Sequence, residues 1–334
     1  MYKISLVIPT YNRCESVRRA LEALLSQTLP AHDFEVIVSI DGSEDGTLEM
    51  VSEFESPYEL RYVWGQNEGK ASACNRAIDA LNGEIVVMID DDMEPTAELL
   101  KAHYESHQKN PRTVVIGAAP IELNGKETPI VAYIAHKFNT HLERISQPGF
   151  KIRIWDFYGG NFSIDKKVLS EVGNFDESYK VYGFEDVEFA NRLLKSDVKL
   201  IYSSDAKCIQ YYVDDYQDAA RKMINSGKNA IHLISAYPET FTELKLIEYN
   251  FTGWKWRSLR MMMIRLSMLM PFITNLIIYL VDWVGKYKPH LFVRLNGLAM
   301  DYFFWLGVWI GLRTNKDRNE IESRIKSYQR PQDV

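Results

Sequence analysis

Along the first third of the chain, short apolar runs alternate with stretches of helical periodicity. KISLVIP (Lys3–Pro9) predicts a first strand, and a helix is predicted from Cys14 to about Gln27. EVIVSI (Glu35–Ile40) predicts a second strand that stops at Asp41-Gly42, and DGTLEMVSEFE a second helix. LRYVWG, a helix around Ala71–Leu81 and the strand EIVVMID complete the series. Val- and Ile-rich runs alternating with helices imply a parallel sheet in an α/β domain. Ligands of such sheets bind beyond the carboxyl ends of the strands. Three strands end there in polar signatures, PTYNR, DGSEDGT and DDD.

The middle third, about Pro95 to Tyr212, is less periodic and richer in Gly, Asn and aromatics. YGGNFSI (Tyr158–Ile164) predicts a loop entering a strand, and EDVEFANRLLKS (Glu185–Ser196) a helix that starts near Glu185. The last third changes character. Leu266–Val281 is an uncharged run of 16 residues, and Tyr302–Leu312 a second one of 11. Both fall short of the ~20 residues a helix needs to cross a bilayer. Trp254, Trp256, Trp283, Trp305 and Trp309 lie in this region, with Arg257, Arg260 and Arg265 before the first run and Lys286 and Lys288 after it. Aromatics and cations flanking apolar helices suit an interfacial location, as surface-lying helices or a hairpin. A pair of core helices or a dimer interface would give the same composition. The polar tail from Arg313 contains one short helical stretch.

Composition narrows the class. A chain of 334 residues, 46% hydrophobic and 25% charged, can bury a full core. Net charge −6 argues against a nucleic-acid binder. Cys14, Cys74 and Cys208 show no CxxC spacing, which fits a reducing compartment without zinc or disulfides. MYKISLVIPT is too short an apolar run for a signal peptide, so the catalytic part is expected on the cytosolic side.

Candidate chemistry centres on VVMIDDDMEP, where a buried strand is aimed at Asp90, Asp91 and Asp92. Three like charges need water, donors or a cation. A solvated acidic turn is one answer; a site for Mg²⁺ or Mn²⁺, completed by water and a diphosphate, is the other. Glu185-Asp186 opens a helix, where acids serve as caps or as a general base facing a cleft. Asp41-Gly42 and Gly159-Gly160 fit tight turns as well as close approach to a ligand. Lys70 fits a solvated surface position equally.

The signatures LVIPTYNR, IDGSEDGT, NEGKASACNRAI, IDDDMEP, YGGNFSI and VGNFDESYKVYGFEDVEFANRL follow in that order. With them, about residues 1–215 closely resemble the family 2 glycosyltransferases, inverting enzymes that use nucleotide-sugar donors. The resemblance implies the A-type glycosyltransferase fold: a Rossmann-like, mostly parallel sheet flanked by helices. An apolar α-helical appendage, 216–334, would follow the catalytic domain, 1–215. It further implies that Pro9, Thr10, Tyr11 and Arg13 sit by the nucleotide, that Asp41 meets the base, and that Lys70 and Asn75 meet ribose and phosphates. Asp90 and Asp91 would lie on the donor side, with Asp92 on the metal and Asp90 beside it. Asp186 would be the general base, Glu185 would orient the acceptor, and Gly159, Gly160 and Asn161 would border the acceptor or sugar. In two places the chain departs from the family pattern. Ile40 stands where a second acid often precedes Asp41. Gln210, in CIQYY, stands where many relatives carry a metal-binding histidine, and its amide oxygen would take that place on the metal, a weaker ligand than imidazole but acceptable to Mg²⁺.

The expectation is a metal-dependent, hexosyltransferase-type enzyme moving a sugar to an acceptor hydroxyl in surface polysaccharide or glycolipid assembly. The family implies a UDP-sugar donor, and the tail a saccharide or lipid-linked acceptor. A peripheral place on the cytoplasmic face of the cell membrane is expected, or otherwise the cytoplasm, and a homo-oligomer is left open. Two rivals stand beside it. A sugar nucleotidyltransferase would carry a basic glycine-rich loop after its first strand, which PTYNRCES lacks. A non-catalytic nucleotide-sugar sensor would have no use for Asp186.

Overall fold

The computed structural model describes residues 2–181 and 183–329. Tyr182, within the last of the six signatures, and the final five residues of the polar tail lie outside the described residues. The first third alternates as expected: β1 (Ile4–Thr10), α1 (Cys14–Leu24), β2 (Phe34–Asp41), α2 (Thr47–Glu53), β3 (Glu59–Gly65), α3 (Lys70–Ile78) and β4 (Ile85–Ile89). There follow β5 (Met93–Pro95), α4 (Leu99–Lys109), β6 (Thr113–Ala118), α5 (Pro129–Ile145), β7 (Asn161–Asp165), α6 (Lys166–Val172), α7 (Glu185–Lys195) and β8 (Lys199–Gln210). The remainder is helical: α8 (Tyr216–Ala236), two short 3₁₀ segments, α9 (Trp254–Leu269), α10 (Phe272–Tyr287), α11 (Pro289–Thr314) and α12 (Arg318–Ser327).

The chain divides into two compact units. A sheet unit holds residues up to Asn124, Ala135–Val181 and Glu185–Tyr212; a helical unit holds Gly125–Ile134, residues 183–184 and the chain from Val213 onward.

In the sheet unit the strand order is β3-β2-β1-β4-β7-β6-β8-β5. β1 pairs in parallel with both β2 and β4, and β2 in parallel with β3. β1, β2 and β4 are covered on both faces, which is why they are apolar without alternation, whereas β3 at the sheet edge is partly exposed. The other half is mixed. β7 runs antiparallel to β4 and β6, and β5 antiparallel to β8. The reversal of β7 matters for the site: its amino end, Asn161 opposite Ile89, lies at the edge where β1, β2 and β4 end.

In the helical unit α8 and α11 pack with their backbones close together. A Cβ at Gly307 would meet the carbonyl oxygen of Ile224, and one at Gly227 that of Phe304, so the crossing requires glycine. Tyr302, Phe303, Trp305 and Val308 of α11 are all buried, Tyr302 against Ser267 and Thr274 and Trp305 against Tyr249 and Arg260. The uncharged run Tyr302–Leu312, expected at a membrane interface or in a core, is therefore core. α11 is long and apolar enough to cross a membrane by composition, but more than half of its apolar window is buried within the protein. Leu266–Val281 has the other fate, with most of its large side chains exposed.

Candidate active site

The register of the parallel strands assembles the site. Val7 lies opposite Met88, so Thr10, three residues on, reaches the level of Asp91. The Thr10 hydroxyl donates to Asp91 Oδ2 at 2.7 Å. Asp90 donates its backbone N–H to the Gly160 carbonyl at 2.9 Å, extending the β4–β7 ladder by one bond. A Cβ on Gly160 would stand 2.6 Å from Met93 Cε and 3.1 Å from Asp90 Oδ2, so glycine leaves that carboxylate its place.

Lys70 is the first residue of α3, entered through Gly69 at φ 101°. Its ammonium forms an ion pair with Asp90. Burial alone would lower the Lys70 pKa, but the carboxylates of Asp90 and Glu185 outweigh burial and raise it. Glu185 and Asp186 open α7 and are half-buried. Phe184, immediately before them, has φ 78°, an uncommon conformation for an aromatic residue that sharpens the turn into the helix. Gly159 borders Asp186, with its Cβ position 3.5 Å from Asp186 Cβ and 3.9 Å from Lys70 Nζ. The two α7 carboxylates, Lys70, Asp90 and the glycine pair thus form one cluster.

Burial dominates the electrostatics. It pushes Glu185 up to about 7, with the Asp186 charge adding to it and Lys70 opposing. One buried oxygen of Glu185, Oε2, has no hydrogen-bond partner. Asp186 is raised as well, by burial against the pull of Lys70. Burial pushes Asp91 up to about 7, only partly countered by the Thr10 hydroxyl, and Asp92 up to about 6, where Asp90 adds to it. Arg13, half-buried in the loop after β1, lowers both a little.

The oxygen-rich set of Asp90 and Asp92 suits a hard dication such as Mg²⁺ or Mn²⁺. Among the described residues no three His, Cys, Asp or Glu side chains close into a ready cage. The chain offers two carboxylates, leaving other positions to water and substrate, as magnesium is commonly held. Gln210, at the end of β8, lies beside Asp92 but touches its oxygens through the amide nitrogen, at 3.2 and 3.4 Å. In this arrangement its amide donates to the carboxylate expected on the metal.

Three expected contact residues also brace the framework. Asn161, expected at the acceptor, is fully buried and bonds Ala118, Ala206 and His103. Asn75, expected at the donor, ties α3 to the segment around Phe175 through both ends of its amide and also reaches Glu177. Asp41, expected at the base, accepts from the N–H groups of Glu68 and Gly69 and from Arg76. It thereby fixes the turn that delivers Lys70. Pro9 is buried in β1, and Tyr11 is exposed at the mouth of its loop. Sequence reasoning missed Arg76, which braces Asp41 from the next turns of α3, and the buried His103–Asn161–Ser163–His107 network behind β7. The histidines at helical spacing, 103 and 107, were the available signal.

Comparison with known proteins agrees with this geometry. The profile of Glycosyl transferase family 2 matches residues 5–173, and one described as the N-terminal domain of galactosyltransferase matches residues 140–213. The chain belongs to glycosyl transferase family 2. It is 29% identical over 225 residues to chondroitin synthase of Escherichia coli, covering 58% of this chain and 32% of that one. It is 28% identical over 242 residues to the GalNAc(5)-diNAcBac-PP-undecaprenol beta-1,3-glucosyltransferase of Campylobacter jejuni, covering 72% of this chain and 73% of that one. The chain spans less than two thirds of the length of the first curated relatives it matches. Among solved structures, the mannosyltransferase PcManGT from Pyrobaculum calidifontis, in complex with GDP-Man and Mn²⁺, superposes with a TM-score of 0.58 at 19% identity. That match covers 93% of this chain and 87% of the other, a likeness of fold.

Proposed function

We propose that the protein is an inverting, metal-dependent glycosyltransferase of hexosyltransferase type, acting in polysaccharide or glycoconjugate synthesis. The observation that carries this reading is the single cluster of Asp90, Lys70, Glu185 and Asp186 at the edge where the parallel strands end. Asp186 accepts the proton of an acceptor hydroxyl as that oxygen attacks the anomeric carbon. The bond from that carbon to the donor's phosphate oxygen breaks, and the nucleoside diphosphate leaves with the electron pair. A raised pKa brings the base nearer the operating pH, where general-base catalysis is most effective. Glu185, with one oxygen uncommitted, orients the acceptor. Lys70 places a positive charge beside the phosphates, and the Gly159-Gly160 turn leaves room for the sugar. Asp90 and Asp92 would hold the Mg²⁺ or Mn²⁺, whose chemistry is to neutralise charge developing on the diphosphate.

The family alone suggests a UDP-sugar donor. A saccharide or lipid-linked hydroxyl is the acceptor class in keeping with the relatives' names. Screening nucleotide-sugars by thermal shift with and without Mn²⁺, then determining the product's anomeric configuration by NMR, tests the reading. An inverted product and metal-dependent stabilisation by one donor are expected; retention of configuration would overturn it.

A further inference from the structure

The helical unit carries a surface that its own packing does not explain. On α9 the residues turned inward are Arg260, Ile264 and Ser267. Those turned outward are Leu259, Met262, Leu266 and Leu269, at intervals of three and four.

 The outward set on α9 is thus Leu259, Met262, Leu266 and Leu269, an apolar stripe facing solvent while an arginine and a serine face the interior. α10 continues the apolar face: Phe272, Leu276, Tyr279 and Trp283 point outward at helical spacing, and Val281 and Gly285 inward. Leu291 and Leu295 continue the face onto the first turns of α11. The side chains beside the Met270-Pro271 corner are among the most exposed, Leu269 at 78% and Phe272 at 62%. An exposed apolar surface of this extent marks an interaction site.

Charge selects the partner. Between Trp254 and Met300 there are seven lysines and arginines and one acid, Asp282, in a chain whose net charge is −6. Lys255, Arg265, Lys286, Lys288 and Arg294 are exposed around the apolar stripe, and Asp282 is paired with Lys286. Apolar side chains ringed by cations on surface-lying helices match one leaflet of an anionic lipid membrane. We propose that α9, α10 and the start of α11 form a monotopic docking face that inserts the Leu269–Phe272 corner into an anionic leaflet, while the buried half of α11 stays in the protein core. This inference does not depend on the sugar chemistry proposed above.

The test is flotation of the purified full chain with vesicles of phosphatidylcholine alone or mixed with phosphatidylglycerol. Binding to the anionic vesicles is expected to exceed that to neutral ones by roughly tenfold, and to weaken as salt is raised. The variant Leu269→Asp/Phe272→Asp/Leu276→Asp changes only exposed positions. It is expected to keep its Tm and lose flotation by roughly tenfold or more. Equal binding to both vesicle types, or unimpaired flotation of the triple variant, would overturn the proposal. So would a lipid-free wild-type dimer that the triple variant dissolves in analytical ultracentrifugation, since the face would then belong to a second copy of the chain.

Discussion

Asp301 of the helical unit and the acids of the strand-edge cluster in the sheet unit are all drawn away from water, and their surroundings treat them in opposite ways. In the helical unit Asp301 accepts from Arg260 at 2.7 Å and Trp256 Nε1 at 2.9 Å, with Lys245 at 3.2 Å. Arg260 is fully buried and stacks on Trp305, its guanidinium 4.7 Å from the ring centroid. Burial would raise Asp301, but Lys245 and Arg260 outweigh it and hold the carboxyl below its ordinary value. In the sheet unit Glu185, Asp91 and Asp92 lack such compensation and are pushed up. A buried acid pulled down by its partners belongs to the framework; one pushed up at a strand edge is held ready for a proton or a cation.

The largest effect that would sharpen this contrast is on catalysis. Asp186→Asn removes the proton acceptor and should lower the transfer rate about 10²–10⁴-fold, while leaving Tm unchanged or higher because a disfavoured buried charge is gone. Glu185→Gln should cost less in rate and more in acceptor KM. Steady-state kinetics beside thermal unfolding decides the matter, and a larger rate loss in Glu185→Gln would move the base to that residue. The complementary change lies in the helical unit. Asp301→Ala leaves Arg260 buried without its carboxylate and should cost about 3 kcal/mol or more of stability. Arg260→Met/Asp301→Leu should recover most of that loss. Denaturant midpoints measure both; a single variant as stable as wild type would erase the distinction.

The legibility of the two units differs for the same physical reason. The strands β1, β2 and β4 could be read because each is a short apolar run ending in a polar signature, and the register then brings those ends to one edge. The acids at 90–92 were visible for the same reason, and those at 185–186 because they open a helix of clear periodicity. Asn75, Asn161 and Asp41 were visible as polar residues near motifs, but a sequence does not say that two amides and a carboxylate also tie distant segments together. Arg76 and the histidine network were hidden because their role exists only across elements distant in sequence. The two uncharged runs near the carboxyl terminus looked alike. Their fates were decided by details of periodicity: glycines at 307 and 311 let α11 press against α8, whereas α10 carries large apolar residues on the face turned away from its neighbours.

A smaller effect compares one added methyl group in each unit. Gly307→Ala sets its Cβ against backbone of α8, which cannot yield locally, and should cost about 1–3 kcal/mol of stability. Gly160→Ala meets the flexible end of Met93 and the Asp90 carboxylate. It should be nearly silent in stability and reduce turnover by displacing Asp90. Unfolding midpoints and initial rates for the two variants should therefore move in separate columns; a Gly160→Ala enzyme of full activity would detach Asp90 from the chemistry.

The smallest effect expected is a pH-dependent response to metal. Glu185 rises from 4.5 to about 7, Asp91 from 3.8 to about 7 and Asp92 from 3.8 to about 6. A carboxyl whose folded pKa is raised contributes stability that is complete below its unfolded pKa and is lost as pH climbs through the folded value. These three groups therefore favour the fold at pH 5 and disfavour it at pH 8. His103 and His107 act oppositely in the same window. Burial lowers them to about 3 and about 4, so the unfolded chain takes up protons that the folded chain refuses as pH falls through 6.5. Total stability then mixes both signs, and the metal-induced increment separates them, because the histidines lie behind β7 and the aspartates at its front. At pH 8, Mn²⁺ relieves repulsion among ionised aspartates and should raise Tm by a few degrees. At pH 5 protons already occupy Asp91 and Asp92, and the shift should shrink toward zero. Asp92→Asn should abolish it at both values, and an Mn²⁺ shift of equal size at pH 5 and pH 8 would show that the aspartate trio is not where the cation binds.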